Sequence, residues 1–341
     1  MRPLNDKSIL KQSIDKTREL EALTEVKQIF PLQFNVPGTF VVAGFAAIKW
    51  PTTQGKNILN HQIMKAGIIY LFFFFLSNTL FSQENSYDIY ALEFAKNDWK
   101  SVVSDIAVGS TAKDTVKGHF VIWLLRNKNG KNILVDAGFI LKEPMATYVR
   151  PDSVLQKLQV KPGDITDIIL THPHWDHMGG IHLFPNAMVW MQEDDFNYFV
   201  GKAWQKDGFT DGLEKNDVPK IIQKNLEGKL TLVKGDSIEI IPGIRVFIGS
   251  KHTKESQYVL VNGASGKTII ASDNIWFYAN LKYLLPIPHY TFDPVGYVNQ
   301  MKRMKRLVSH TDLIIPGHDI EVFSKFPKVT EGVVKIELPK K

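Results

Sequence analysis

Cysteine is absent from all 341 residues. That absence removes whole classes of chemistry: a disulfide framework, a thiolate nucleophile and a sulfur-ligated metal are all excluded. A strong charge imbalance is missing too. The 41 Lys and Arg against 35 Asp and Glu leave a formal charge of only +6, and no basic stripe of the kind that tracks nucleic acid stands out. Lys302, Arg303, Lys305 and Arg306 come closest, and their spacing fits one solvated helix face. The apolar core at residues 68–76 falls short of the roughly 20 residues that cross a bilayer. What is there is ordinary for a globular chain: 44% hydrophobic residues can bury a real core. The length suits one large domain or two of about 150 residues each.

The short apolar core reads as part of an export signal, with a buried strand or helix, or an uncleaved membrane anchor, as the rival readings. Met64 and Lys65 precede it, polar Ser77-Asn78-Thr79 follows, and small Ser82 stands before Gln83. A basic start, about 7–15 apolar residues and a small exit residue are what secretion requires. A cleavable signal works at an N-terminus, which sets the expected organisation. Residues 1–63 are expected to be an upstream over-extension of the reading frame or disordered, residues 64–82 a signal peptide, and residues 83–341 the mature domain. With no cysteine near the cut, a lipid anchor is excluded. The expected location is periplasmic or secreted, with no stable membrane anchor after cleavage.

The densest chemistry lies in Thr171-His172-Pro173-His174-Trp175-Asp176-His177, directly after the apolar run at residues 167–170. Imidazole and carboxylate are borderline ligands that suit zinc and its first-row neighbours. Their close spacing lets one turn after a strand aim several side chains at two adjacent ions. A His-rich surface turn is the plain alternative, and the rest of the chain argues against it. His252 follows the apolar residues 246–248, Asp273 follows residues 268–272, and His318 follows residues 313–317. Each would be delivered by a strand to one rim of a sheet, where scattered ligands form a common site.

Around these positions the pattern alternates strands and helices. Residues 119–126 and 132–136 read as strands joined through Asn127-Lys128-Asn129-Gly130, whose Asn-Gly step favours a tight hairpin. Asp136 fits either a turn former or an acceptor that orients a ligand histidine. Residues 152–160 read as a helix stopped by Lys161-Pro162-Gly163. Gly179 and Gly180 would permit close backbone approach around the ions, or simply open a helix. Residues 187–191 form another strand, and residues 192–229 are helical and polar. Their loosened stretch at residues 206–217 is a candidate lid or substrate wall, with an inert surface loop as the plain alternative. Residues 230–233, 237–241 and 245–248 complete a second group of strands, with Pro242-Gly243 as a turn.

From His119 to Glu321 the chain resembles the metallo-β-lactamase-fold hydrolases, in particular their N-acyl-homoserine lactonase branch. The resemblance rests on Leu134-Val135-Asp136-Ala137-Gly138, the cluster at 172–177, Pro242-Gly243, Ser256-Gln257 after His252, and Asp273. Phe292-Asp293-Pro294 and Gly317-His318-Asp319-Ile320-Glu321 tilt it to the lactonase branch. It implies an α/β fold, the αββα sandwich, in which two mixed β-sheets face each other, helices cover the outside and metals sit at one edge. It also implies that His172, His174 and His252 hold one metal, that Asp176, His177 and His318 hold a second, and that Asp273 bridges them. Five neutral imidazoles and two carboxylates leave two divalent ions, zinc for choice, with residual positive charge. That charge favours a bound hydroxide, since coordination can lower the pKa of water from 15.7 to about 7.

The implied activity is an exported dinuclear metal-dependent hydrolase that opens the lactone ring of N-acyl-homoserine lactones, a quorum-quenching reaction. Its partner is a small acyl molecule rather than nucleic acid. Asp176 is expected both to bind metal and to pass a proton. Family lactonases carry a carbonyl-polarising tyrosine three residues after the bridging aspartate; here Trp276 stands there, and Tyr278, two residues on, is the expected replacement. Lys251 replaces a small residue before the third histidine. Phe199, Trp204, Trp276, Phe277 and Tyr278 are candidates for an acyl-chain pocket or for core packing. A thioesterase of the glyoxalase II type and a cysteine-free β-lactamase remain alternatives, as does a non-catalytic metal-binding protein.

Overall fold

Tyr87-Asp88-Ile89-Tyr90-Ala91-Leu92-Glu93-Phe94 alternates along an extended strand, where successive side chains take opposite faces. Tyr87, Ile89 and Ala91 enter one core, while Tyr90, Leu92 and Phe94 enter another. The strand is therefore buried on both sides, and that double burial organises the molecule. This computed structural model describes residues 85–141, 147–288 and 290–339. These all belong to one compact unit, Gly67–Lys341. The expected upstream segment at residues 1–63 and signal at residues 64–82 lie outside the described residues. Among the described residues, no helix is long and apolar enough to cross a membrane.

The strands are β1 Tyr87–Val102, β2 Thr115–Asn127, β3 Asn132–Val135, β4 Ile165–Ile169, β5 Met188–Gln192, β6 Leu230–Val233 and β7 Ile238–Ile241. They continue with β8 Ile244–Ile248, β9 Gln257–Gly263, β10 Gly266–Ser272, β11 Ile314–Pro316, β12 Lys328–Thr330 and β13 Val333–Lys335. The helices are α1 Val103–Ile106, α2 Pro151–Val154, α3 Trp175–Met178, α4 Glu193–Val200, α5 Val218–Leu226, α6 Tyr278–Tyr283, α7 Pro294–Leu307 and α8 Val322–Lys325.

Among the described residues, hydrogen bonding runs through 13 strands, but there β1 meets β9 only at the pair Tyr87 and Gly263. Two leaves result. One has the order β6-β5-β4-β3-β2-β1, with β13 and β12 beyond β1. The other runs β7-β8-β9-β10-β11. Each leaf mixes antiparallel pairs with parallel ones, β3 to β6 in the first and β10 with β11 in the second.

Period two decides which residues fill which layer. Between the leaves lie Trp123 and Leu125 of β2, Val135 of β3, Ile169 of β4, Val259 and Val261 of β9, and Ile270 of β10. The outer face of the first leaf turns Ile122, Leu124 and Ile168 toward Phe196 and Phe199 of α4 and Ile221 of α5. The outer face of the second turns Tyr258, Leu260 and Ile269 toward Tyr297, Met301 and Met304 of α7. Those last three are spaced four and three apart, the apolar stripe of a helix packed on one side. Asp293 starts α7 by accepting from the Gly296 N–H at 2.8 Å. Three buried layers between four of structure make the expected αββα sandwich.

Several expected boundaries shift. The helix expected over residues 152–160 is α2 followed by a 3-10 turn at Leu155–Leu158, ending at Gln159 with φ of 57°. The polar segment 192–229 forms α4 and α5 around the loosened stretch. Gly179 and Gly180 serve close backbone packing against Phe139 and Ala137. A Cβ on Gly180 would lie 2.2 Å from the Ala137 carbonyl oxygen, and one on Gly179 3.3 Å from Phe139 Cα. The basic face of α7 is solvated as expected, apart from Arg303, which reaches Asp236 at 2.8 Å and covers the Phe247 ring.

Candidate metal centre

β4 ends at Ile169, and the turn beyond it carries His172 and His174 into the one-turn helix α3, which presents Asp176 and His177. The second leaf supplies the other donors: His252 after β8, Asp273 after β10 and His318 after β11. The strand ends of both leaves meet at one rim. There, the ligand atoms of His172, His174, His252 and Asp273 all lie within 4.8 Å of one another, as do those of Asp176, His177 and His318. All seven expected residues converge.

Asp273 faces both groups. Its Oδ2 is 3.2 Å from His252 Nε2 and 3.8 Å from His172 Nε2. Its Oδ1 is 3.0 Å from His318 Nε2 and 3.3 Å from His177 Nε2. One oxygen per group is the geometry a bridging carboxylate needs. His172 Nε2, His177 Nε2 and Asp273 Oδ1 are buried without a hydrogen-bond partner. Buried polar atoms are rarely left this way, because each costs about 1–3 kcal/mol. Lone pairs turned toward one another fit a cation held between them, and the donor set of imidazole and carboxylate suits zinc-like ions.

The opposite ring nitrogens explain why the lone pairs point inward. His177 Nδ1 donates to Asp136 Oδ2 at 2.8 Å, and His318 Nδ1 donates to the His119 carbonyl at 3.0 Å. His172 Nδ1 lies 2.9 Å from Thr171 Oγ1, whose own proton goes to Asp136 at 2.9 Å. Asp136 also accepts from the Thr171 N–H at 2.8 Å and from Ser272 Oγ at 2.9 Å. Asp136 is thus both things the sequence allowed: a turn residue with φ of 61° and the acceptor that fixes a histidine tautomer. Asn274, beside Asp273, takes the Ser250 N–H at 2.7 Å and Ser256 Oγ at 2.9 Å on one oxygen, clamping the loop that carries His252.

Burial and mutual repulsion split the histidines electrostatically. Burial, then neighbouring imidazoles, hold His172 well below the usual histidine range, and burial with the charge of His252 pushes His174 down to about 3. Both stay neutral, as ligation demands. At His177 burial opposes the charged form, but Asp176, Asp273 and Asp136 outweigh it and raise the pKa well above the usual value. Asp273 does the same for His318 against burial. The second group therefore attracts a positive charge, whether proton or metal.

Beside these ligands lies a cavity of about 310 Å³, lined by the polar groups of Asp176, Asp273 and His318 and by the aromatic rings of Phe120, Trp175 and Trp276. Gly212, in the loosened stretch, forms part of the wall: its carbonyl accepts from the Trp175 N–H at 2.9 Å. A Cβ there would sit 2.7 Å from the His174 ring, at a φ of +76° that disfavours any side chain.

A family model described as the metallo-beta-lactamase superfamily matches residues 120–318, the span that holds the whole ligand set. The chain belongs to the metallo-beta-lactamase superfamily. It is 25% identical over 171 residues to an N-acyl homoserine lactonase of Bacillus thuringiensis, a match covering 50% of this chain and 62% of that relative. The match thus spans less than two thirds of the curated relative's length. Among solved structures, a quorum-quenching N-acyl homoserine lactone hydrolase shares the fold with a TM-score of 0.57 at 21% identity, over 72% of this chain and 97% of that one. A dizinc quorum-quenching lactonase in complex with a product matches with a TM-score of 0.52 at 18% identity, over 76% of this chain and 99% of the other.

In this superfamily member, the aromatic expectations divide. Trp276 and Phe277 line the cavity. Phe199 is fully buried in the outer core of the first leaf, and Trp204 packs against it with ring centroids 6.1 Å apart. Tyr278 is a correction. It opens α6, so the turn that brings Trp276 to the ligands carries Tyr278 to the other side. Its N–H donates to Asp319 Oδ2 at 2.9 Å, its ring lies under Lys325, and it lines a separate cavity with Asp312 and Asp319. Lys251 is exposed, with φ of 54°. Phe120, Trp175 and Tyr290 were not among the expected lining residues. Trp175 was recoverable from its place between two ligands; Tyr290 stands two residues before Phe292-Asp293-Pro294, which marked the segment but not this residue.

Proposed function

We propose that this chain is an exported metal-dependent hydrolase that holds two divalent ions, zinc by its donor set, and opens the lactone ring of N-acyl-homoserine lactones. The carrying observation is Asp273, whose two oxygens each face one complete triad of donors. His172, His174 and His252 would hold one ion and Asp176, His177 and His318 the other. When bound, the ions supply positive charge for an acyl oxygen and an acidified water. The residues of the chain do the rest. Asp176 borders the cavity and takes the water proton, then returns it to the ring oxygen as the C–O bond breaks. Phe120, Trp175 and Trp276 give an acyl chain apolar surface, while Asp176, Asp273 and His318 stand where the lactone would react. Zinc is supported by the dizinc lactonase of the same fold, and export by the pattern at residues 64–82.

The decisive experiment assays purified protein, with and without chelator, on homoserine lactones, simple aryl esters and nitrocefin. Lactone turnover that chelation suppresses and His174→Ala abolishes is expected. Turnover confined to the β-lactam would reject the lactone assignment. The secreted preparation, sequenced from its N-terminus, should begin near Gln83; peptides from residues 1–60 would reject the export signal.

A further inference from the structure

Trp276 Nε1 donates to Asp273 Oδ2 at 2.8 Å. The indole proton is therefore spent on the bridging carboxylate and is not free for a substrate. His119, also on the cavity wall, pairs its Nδ1 with Glu93. The phenol in the cavity comes from Tyr290, on the loop between α6 and α7. Its ring centroid is 5.6 Å from that of His174, 6.2 Å from His252 and 6.0 Å from Trp276. No hydrogen bond to a described residue occupies its hydroxyl.

The local backbone is held in place. Tyr290 has φ of 55°, in the left-handed region that non-glycine residues rarely adopt. The loop is tied down next to it: the Phe292 N–H donates to the Lys251 carbonyl at 2.9 Å, one residue from His252. Phe292 also packs edge-on against Phe209 of the loosened stretch at 5.3 Å, and Asp293 caps α7. A sparsely populated conformation fixed beside clustered ligands is where strain accompanies function.

We propose that the Tyr290 hydroxyl is the hydrogen-bond donor to the acyl oxygen of the substrate, the role the family gives to a residue at position 276. The inference rests on the acyl-hydrolase reading above. As water adds to the carbonyl carbon, the π pair moves onto the acyl oxygen, and the Tyr290 O–H donates to it while keeping its proton. The pair then returns as the bond to the leaving oxygen breaks. A donor aimed at a charge that grows during reaction lowers the barrier more than it strengthens ground-state binding.

The test compares the metal-loaded wild type with Tyr290→Phe, which keeps the ring and removes only the hydroxyl. Metal content and melting temperature should be unchanged and KM nearly so, while kcat falls by about 10²-fold. Hexylboronic acid, a probe that becomes a tetrahedral oxyanion, should bind Tyr290→Phe about tenfold more weakly by calorimetry. Unchanged kcat and unchanged boronate affinity would overturn the proposal. So would a variant that loses metal or melts early, since Tyr290 would then be a structural residue. A wild type inactive on lactones rejects the substrate assignment alone; the boronate measurement still decides the role of Tyr290.

Discussion

Asp195 lies buried in α4, where one oxygen accepts from the Thr253 hydroxyl at 2.6 Å and the other from the Glu255 N–H at 2.7 Å. It thereby anchors the loop just beyond His252. Burial dominates its titration: its pKa is pushed up to about 7 from 3.8, although both hydrogen bonds pull the other way. The folded protein then holds a proton that the unfolded chain has lost. Between these two values, stability falls as pH rises, by up to about 1.4 kcal/mol per pH unit for this group. Asp195→Asn should remove that slope, since its amide can donate to Thr253 and its oxygen can still accept from Glu255. Denaturant unfolding of both proteins at about pH 5 and pH 7 checks this; equal slopes would assign the pH dependence elsewhere. Single residues also mark where sequence reading stops. Asp136 was legible as a candidate because it ends a strand, but its service to His177, Thr171 and Ser272 at once depends on three distant segments meeting.

At the scale of elements, each ligand in the second leaf depends on a tight turn after a short strand. β11 ends at Pro316, and Gly317 brings the chain against β10 before His318. A Cβ on Gly317 would lie 2.6 Å from Asp273 Oδ1 and 2.9 Å from the Ser272 carbonyl oxygen. Backbone and a fixed ligand cannot yield as a flexible side chain would. Gly317→Ala should cost about 1–3 kcal/mol and displace the carboxylate from both triads, with weaker metal retention under dialysis. Wild-type stability together with wild-type metal content would show that this turn tolerates a Cβ. The short apolar runs before His252, Asp273 and His318 were readable as strands from their β-branched content. The 16-residue β1 was not read as one element, because both of its faces are buried and its register shifts near Glu93 and Lys96.

For the whole molecule, the site lies across the seam between the leaves. Four ligands come from the first leaf and three from the second, and with no cysteine in the chain no covalent bond can clamp them. Bound cations would do so, because ions that bind only the folded state stabilise it by mass action, about 2.7 kcal/mol at a hundredfold excess over Kd. Chelation should therefore lower the unfolding midpoint of the entire unit in one transition. A midpoint that ignores chelator would mean that the rim is preorganised without ions. The same seam supplies the burial of Trp123, fully enclosed between the leaves, which ties the core to the integrity of the site.

Ligand identity, spacing and the strand before each ligand are local properties, and the sequence by itself determined them: the 172–177 cluster, His252, Asp273 and His318 all stand where a strand delivers them. The sandwich itself was expected from the resemblance of residues 119–321 to the metallo-β-lactamase-fold hydrolases, while local pattern gave the individual strands with their period of two. Only the tertiary structure decided which aromatic groups share the cavity. Trp276 and Tyr278 differ by two positions in sequence, yet the start of α6 between them sends one to Asp273 and the other to Asp319. Tyr290 arrives from a separate loop to meet His174, more than a hundred residues earlier. Side-chain direction after a turn, and contacts between distant segments, follow from packing energies summed over the fold, and no short stretch of sequence encodes them.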